Sequence, residues 1–340
     1  EQLDAVWLPV RSDGWQGEEG LQRYPMIFPT QEALRELQGF ASVAAALQHA
    51  AQLEKMPPYQ VPHYQAREVL RRGQTERIVF TDLAYAEAEL RDPSGGNPPA
   101  IDWQHEQPVA LTRSVQRLTC PNPSMMSGPG TNTYLIGSAA QGFVVLDAGP
   151  AIKDHLRRIL QATDGRIVAL LCTHSHPDHS PGAVLLHRFL RRKGRRVPLM
   201  GMASAATAAA HSRFTPTDAS THDKLLQLPA RAGAEGMYLR IIHTPGHAAN
   251  HICVLLEEDG LLFSGDHILS GTTTVIAPPD GNMTDYLQSL DRLDSYCQRF
   301  DVQFILPAHG HVLGGSANTD ASQYARLGQG ARRVIAYYRQ

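Results

Sequence analysis

The most constraining stretch of this chain is Thr173-His174-Ser175-His176-Pro177-Asp178-His179, which sets three imidazoles and a carboxylate within six residues. An apolar run, Ile167–Cys172, precedes it and reads as a buried strand. A helical pattern, Pro181–Lys193, follows, with Pro181 near the first turn and Gly194 just past the end. A turn this tight is no packed core. If its first part is extended, His174 and His176 point the same way, and Asp178 and His179 face a neighbouring position. Imidazoles suit zinc-like ions, and a carboxylate adds charge for a second ion. The bland alternative is a polar loop that is His-rich by accident. The strand–loop–helix context argues against it.

Three further candidates each follow an apolar strand and a small or turn residue. They are His247 in Thr244-Pro245-Gly246-His247, Asp266 in Phe263-Ser264-Gly265-Asp266, and His309 in Leu306-Pro307-Ala308-His309-Gly310. Strand ends of this kind lie on one rim of a sheet. Alone, each residue reads as an ordinary loop residue; together they supply what two metals need. His243, His251, His267 and His311 read as supporting or solvent-facing residues, with His311 a rival to His309.

The remaining pattern alternates strands with helices and argues for a layered αβ domain. Thr133–Ile136 and Phe143–Leu146 read as a hairpin. Ile152–Ala162 and Thr284–Arg299 read as helices. Val197–Gly201, Tyr238–Ile242, Ile252–Leu256, Leu261–Ser264 and Phe304–Leu306 read as strands. The chain changes character near residue 115. Before it lie proline-rich joints, Pro57-Pro58 and the stretch 93–99, a helical pattern over Thr30–Glu54 with Thr30 as N-cap, and short strands at Ala5–Val10 and Arg77–Thr81. The expected division is therefore an N-terminal α+β module, 1–112, and an αβ domain carrying the metal-ligand candidates, 113–340. The module carries no chemical motif and suits packing, homo-oligomer contact or shaping the mouth of a neighbouring site.

These motifs resemble the metallo-β-lactamase superfamily. Its H-x-H-x-D-H pattern stands at His174–His179, and single His, Asp and His residues follow in order as His247, Asp266 and His309. Asp147, in Val144-Val145-Leu146-Asp147-Ala148-Gly149, matches the family's early Asp. The resemblance implies an α/β fold, an αββα sandwich with the site on one edge of two sheets. It implies two divalent ions, zinc first, with manganese or iron accepted by the same donors. It assigns His174, His176 and His247 to one ion, and Asp178, His179 and His309 to the other, with Asp266 bridging. Asp147 supports the loop. The segments 130–134, 271–275 and 285–290 resemble the lactamase-beta-2-like branch. Tyr24–Thr30 and the helix after it resemble a degenerate Nudix-like segment without the glutamate-rich box.

Two ions about 3.5–4 Å apart can share a water and lower its pKa, and the resulting hydroxide attacks a carbonyl or phosphorus. Asp178 is also a candidate proton shuttle. The spacing of 19 residues from His247 to Asp266 leaves no room there for the inserted domain of the β-CASP nucleases. Asp266 stands where one β-lactamase subclass carries Cys. The branch implies an endoribonuclease acting on single-stranded RNA. Relatives similar to glyoxalase II imply thioester, ester or lactam hydrolysis. Only about thirty residues follow His311, which truncates the C-terminal region usual in the branch. Arg188, Arg191, Arg192, Lys193, Arg195 and Arg196 crowd one helix end. That segment reads either as a phosphate-binding patch or, more plainly, as a solvated helix C-terminus. A non-catalytic metal-holding module would need a closed coordination sphere, and seven protein ligands for two ions leave room for water.

A net charge of −2 makes no global case for nucleic acid. Cys120, Cys172, Cys253 and Cys297 form no C-x-x-C pair. They are too few for a disulfide framework, so core thiols and a reducing, cytoplasmic setting are expected. No apolar run reaches membrane-spanning length.

Overall fold

The computed structural model describes residues 28–54, 66–79, 81–231, 236–315 and 330–339. The chain forms two compact units, Glu1–Ala66 and Arg67–Gln340. In the first, the single helix expected over Thr30–Glu54 is two, α1 (Phe28–Gln38) and α2 (Val43–Glu54). Gly39 interrupts the run, and the Ser42 hydroxyl accepts the Ala45 N–H at 3.2 Å and so starts the second helix. Pro29 occupies the first turn of α1, where no N–H is needed. Thr30 therefore lies inside the helix and does not cap it. The strand expected at Ala5–Val10, the Pro57-Pro58 joint and residues 24–27 of the Nudix-like segment lie outside the described residues.

The second unit opens with a hairpin, β1 (Arg67–Arg71) and β2 (Gln74–Ile78), then α3 (Tyr85–Arg91). Arg72 and Gly73 both have positive φ, as a two-residue hairpin turn needs. The strand expected at Arg77–Thr81 thus begins earlier, at Gln74. Sequence reading grouped residues 67–112 with the N-terminal module. Here they share a compact unit with the sandwich, to which Glu87 of α3 is tied by Arg117, at 2.5 and 2.9 Å, and by His311.

Seven strands form the first sheet, in sequence order: β3 (Val109–Ala110), β4 (Val115–Thr119), β5 (Asn132–Ser138), β6 (Gly142–Leu146), β7 (Ile167–Leu171), β8 (Leu199–Gly201) and β9 (Asp218–Ala219). Six form the second: β10 (Leu225–Leu228), β11 (Met237–His243), β12 (Ile252–Leu256), β13 (Leu261–Gly265), β14 (Phe304–Pro307) and β15 (Leu313–Gly314). Alternate residues of both face one another in the central core. Val115, Tyr134, Ile136, Val144 and Leu146 meet Leu239, Ile241, Val254, Phe263 and Leu306. Each such large apolar side chain stabilises by about 1.5–3 kcal/mol.

The outer face of the first sheet is covered by α4 (Lys153–Ala162) and α5 (Ser180–Arg192) through Leu156, Ile159, Ala183, Leu186 and Leu190. The second is covered by α6 (Met283–Arg299) and α7 (Gly330–Tyr338) through Tyr286, Leu290, Leu293, Val334 and Ile335. The architecture is helix–sheet–sheet–helix. Three pairings are parallel where a helix intervenes, β6 with β7 across α4, β7 with β8 across α5 and β13 with β14 across α6. Parallel strands bring their C-terminal ends to one edge. Asp147, His174–His179, Asp266 and His309 all sit just past such ends. No described helix is long and apolar enough to cross a membrane. All four cysteines are buried and unpaired.

Candidate metal centre

Four of the histidine candidates, His174, His179, His247 and His309, are placed by strand ends and oriented by a bond to Nδ1. Asp147 closes β6 with φ of 50°, a left-handed conformation that Asp tolerates better than most residues. There its carboxylate accepts Thr173 N at 2.8 Å, Thr173 Oγ1 at 2.7 Å and His179 Nδ1 at 2.9 Å. One side chain thus ties the end of β7 to the start of α5 and leaves His179 Nε2 aimed inward. His247 is held by Val275 O at 2.6 Å from its Nδ1, and His309 by Gly130 O at 3.2 Å from its Nδ1. His174 Nδ1 lies 2.9 Å from Thr173 Oγ1. In each case Nε2 is the nitrogen left for a ligand, the arrangement common at histidine metal sites.

The free atoms converge in two groups, His174 with His176, His247 and Asp266, and Asp178 with His179 and His309. His176 Nδ1 and His247 Nε2 are 2.9 Å apart. Asp178 Oδ2 is 3.2 Å from His309 Nε2. Asp266 stands between the groups: Oδ1 lies 3.4 Å from His179 Nε2 and 3.3 Å from His309 Nε2, and Oδ2 lies 3.5 Å from His247 Nε2. All seven residues read from the sequence are therefore brought together, with Asp147 beside them.

The donor set fits divalent cations. His174 Nε2, His179 Nε2 and Asp266 Oδ1 are buried and have no hydrogen-bond partner. Buried polar atoms are seldom left so, and all three point to the centre of the cluster. The electrostatics agree. Burial pushes the Asp178 and Asp266 carboxyls up, but the histidines beside them outweigh it and hold both below the usual carboxylate range. Burial lowers His309, yet Asp266 and Asp178 bring it to about 10. Burial, with His247 and His179 nearby, lowers His176 to about 4. Two carboxylates concentrate negative charge among the imidazoles and raise His179 and His309, so the cluster draws positive charge, which a hard-to-borderline cation can supply in place of those protons.

The other histidines divide cleanly. His311 turns away from the centre: its Nδ1 lies 2.8 Å from Glu87 Oε2, and its ring packs on Trp103 at 4.4 Å. His309 alone of that pair reaches the carboxylates. His251 is buried, lies 2.9 Å from Thr244 Oγ1, and its Nε2 accepts the Asp266 N–H at 3.2 Å. It fixes the backbone of the bridging candidate. His243 bonds Ala249 O, and His267 is buried against Tyr286 with both nitrogens unpartnered. Gly265 precedes Asp266 at φ 52°, and a Cβ there would stand 2.6 Å from His251 Nε2.

Sequence reading missed the side chains that fasten the His309 turn. Asn132 donates to Pro307 O at 3.0 Å and to Gly310 O at 2.9 Å, and Tyr134 donates to Pro307 O at 2.7 Å. Their signal in the sequence is the resemblance of segment 130–134 to the branch, which carries no hint of the turn they bond.

The cluster opens to a pocket of ≈340 Å³ lined by His176, Asp178, His247, Asp266 and His309 together with Met126, Pro177, Leu269, Thr272, Thr273, Val275 and Ala277. Among the described residues, no Lys or Arg lines it.

The sequence model described as the metallo-beta-lactamase superfamily matches residues 127–309, more than half of the chain. A beta-lactamase-like protein 2 homolog of Drosophila melanogaster is 36% identical over 209 residues, covering 60% of this chain and 66% of that protein. An atrochrysone carboxyl ACP thioesterase of Aspergillus chevalieri is 30% identical over 238 residues, covering 68% and 66%. The match thus spans just under two thirds of either relative's own length. Among solved structures, a beta-lactamase domain protein from Burkholderia ambifaria shares the fold, with a TM-score of 0.52 at 21% identity over 70% of this chain and 76% of that one.

Proposed function

The chain belongs to the metallo-β-lactamase superfamily, in its lactamase-beta-2-like branch, and from that premise we propose that it is a dinuclear-metal hydrolase of acyl thioesters or esters. His174, His176 and His247 would hold one cation and Asp178, His179 and His309 the other, with the Asp266 carboxylate available to both groups. Zinc suits this donor set, and manganese or iron would be accepted by it.

The observation that carries the substrate class is the pocket wall. Met126, Pro177, Leu269, Val275 and Ala277 offer an apolar seat for an acyl group, and no cationic side chain stands ready for a polyanion. The fungal relatives named as acyl carrier protein thioesterases support the same class.

Bound divalent cations supply Lewis acidity, which activates water and stabilises charge on the carbonyl oxygen. The chain's own residues do the rest. Its apolar wall seats the acyl chain and thins water around the carbonyl. Asp178, whose side chain is 30% exposed against 10% for Asp266, is the carboxylate at the mouth. It takes the proton from the attacking water. As the C–S bond breaks it returns that proton to the departing sulfur. Water and thioester give a carboxylic acid and a thiol. Asp147 takes no part in proton transfer; it holds His179 in register.

A second reading, endonucleolytic cleavage of single-stranded RNA, draws on the cations at the end of α5. One experiment separates the two. Metal-loaded protein is offered hexanoyl-N-acetylcysteamine and a labelled single-stranded RNA, with Asp178→Ala as control. Thiol release that the variant lacks is expected. RNA cleavage without thiol release would replace the thioester reading.

A further inference from the structure

Between Asp178 and Asp218 the chain has no carboxylate and seven Lys or Arg residues, although its net charge is −2. Six of the seven crowd the last turns of α5 and the residues directly after it. Arg195 is engaged by the fold, donating to the Gly165 and Ile167 carbonyls. Arg188, Arg191, Arg192, Lys193 and Arg196 are exposed, and among the described residues none has an acidic partner. Lys193 lies 5.9 Å over the Phe189 ring.

The same helix face links these cations to the pocket. His179 is the N-cap of α5, so the metal cluster sits at one end of the helix and the cations at the other. Pro177 lines the pocket. From it, Pro181, Val184 and Leu185, then Arg188 and Arg192, recur at three- and four-residue spacing, all partly or fully exposed. Leu185 is 36% and Phe189 42% exposed. At a rise of ~1.5 Å per residue the track from Ser180 to Arg192 runs about 18 Å. An apolar track therefore leads away from the pocket and ends in unmatched positive charge.

We propose that this face of α5 docks an acidic carrier protein, whose phosphopantetheine arm lies along Leu185 and Pro181 with its thioester in the pocket. The inference rests on the thioester reading and names the partner of that site. The arm's phosphate meets Arg188 and Arg192, and the carrier's acidic surface meets Arg191, Lys193 and Arg196. Five cations spread over more than one helical turn exceed what the single phosphodiester of the arm requires, so a protein surface is the better match. RNA fits less well. Phe189 is the one aromatic ring among the cations, where single strands call for successive stacking platforms. Met126, Thr272, Thr273, Val275 and Ala277 also line the pocket and are uncharged, whereas a strand threading the site would need cations along its path through it.

The test is charge reversal, Arg188→Glu with Arg192→Glu, beside the conservative pair Arg188→Lys with Arg192→Lys. Binding of a holo acyl carrier protein is followed by fluorescence anisotropy at low and high salt. Turnover is measured on hexanoyl carrier protein, hexanoyl-CoA and hexanoyl-N-acetylcysteamine. Reversal is expected to weaken carrier binding and raise KM for the carrier thioester by about tenfold or more, leaving kcat and the N-acetylcysteamine KM unchanged. The lysine pair keeps most of the binding. The proposal is overturned if wild-type protein does not bind the carrier, if reversal leaves binding unchanged, or if hexanoyl-N-acetylcysteamine, which has no phosphate, suffers as much as the carrier thioester. It is also overturned if these arginines bind single-stranded RNA and not the carrier. Carrier binding through these arginines without hydrolysis of any thioester would sustain the docking surface and remove the thioester reading instead.

Discussion

Asp147→Asn isolates the part of the site that orients a ligand without touching the metal. The substitution keeps the shape of the side chain. One oxygen can still accept Thr173 N, and the Thr173 hydroxyl can turn to accept from the new amide. His179 Nδ1 has no such freedom. It now faces an N–H donor at the position where Asp147 Oδ2 accepted at 2.9 Å. The ring escapes by carrying its proton on Nε2, the atom aimed at the cluster. One charge-assisted bond is lost, about 1.5–3 kcal/mol, and supporting carboxylates of this kind are worth about 10–100-fold in metal affinity. Zinc affinity, measured by competition with a chromophoric chelator, should fall by that factor. The metal-free variant should melt only a few degrees below metal-free wild type. Unchanged affinity and stoichiometry would refute the role given to Asp147 and the tautomer given to His179.

Further predictions concern the frame around the site. Glu87→Gln leaves Arg117, 2% exposed, as a buried charge without its counter-ion, so unfolding free energy from urea titration should drop by about 3–5 kcal/mol. Burial pushes the Glu87 carboxyl up, but Arg117, then His311, outweigh it and hold it below the usual range. Its contribution is therefore complete above the unfolded carboxylate pKa of about 4.3 and lost as pH falls towards the folded value. Wild type should lose stability across that acid window, and Glu87→Gln should lose less. Gly246→Ala should lower both stability and metal affinity. At φ 143° its Cβ would lie 2.4 Å from the Tyr286 backbone and displace the loop carrying His247, at a cost of about 1–3 kcal/mol; wild-type melting and zinc uptake would refute this.

Much of the site was legible because its ligands sit at fixed offsets from apolar strands. His174 to His179, Asp266 and His309 each follow a run whose burial could be read from composition, and parallel strand ends must share an edge. His311, across one glycine, rivals His309 in the sequence, where only the resemblance of Pro307–Gly310 to the family's P-x-H-G turn favours His309. Space separates them, as Glu87 draws His311 to the other side of the turn. The fold was less legible where packing overrides local signal. Strand β4, Val115–Thr119, carries Arg117 at a core-facing position and so hides its period. Only the buried Glu87 explains that arginine, and Glu87 lies thirty residues earlier in a helix with no amphipathic length to announce it. The break between α1 and α2 was masked by alanines that continue the helical pattern on either side of Gly39–Ser42. Asn132 and Tyr134 were quoted for their resemblance to relatives, but their bonds to the Pro307–Gly310 turn depend on a partner about 175 residues away.

The central claim is tested most directly by titrating zinc into chelator-stripped protein while following thiol release from hexanoyl-N-acetylcysteamine. The account predicts no turnover without metal, a rise that levels at two equivalents of zinc, and loss of turnover in folded His176→Ala and Asp178→Ala. Full turnover in the stripped protein, or undiminished metal binding and turnover in both variants, would contradict it.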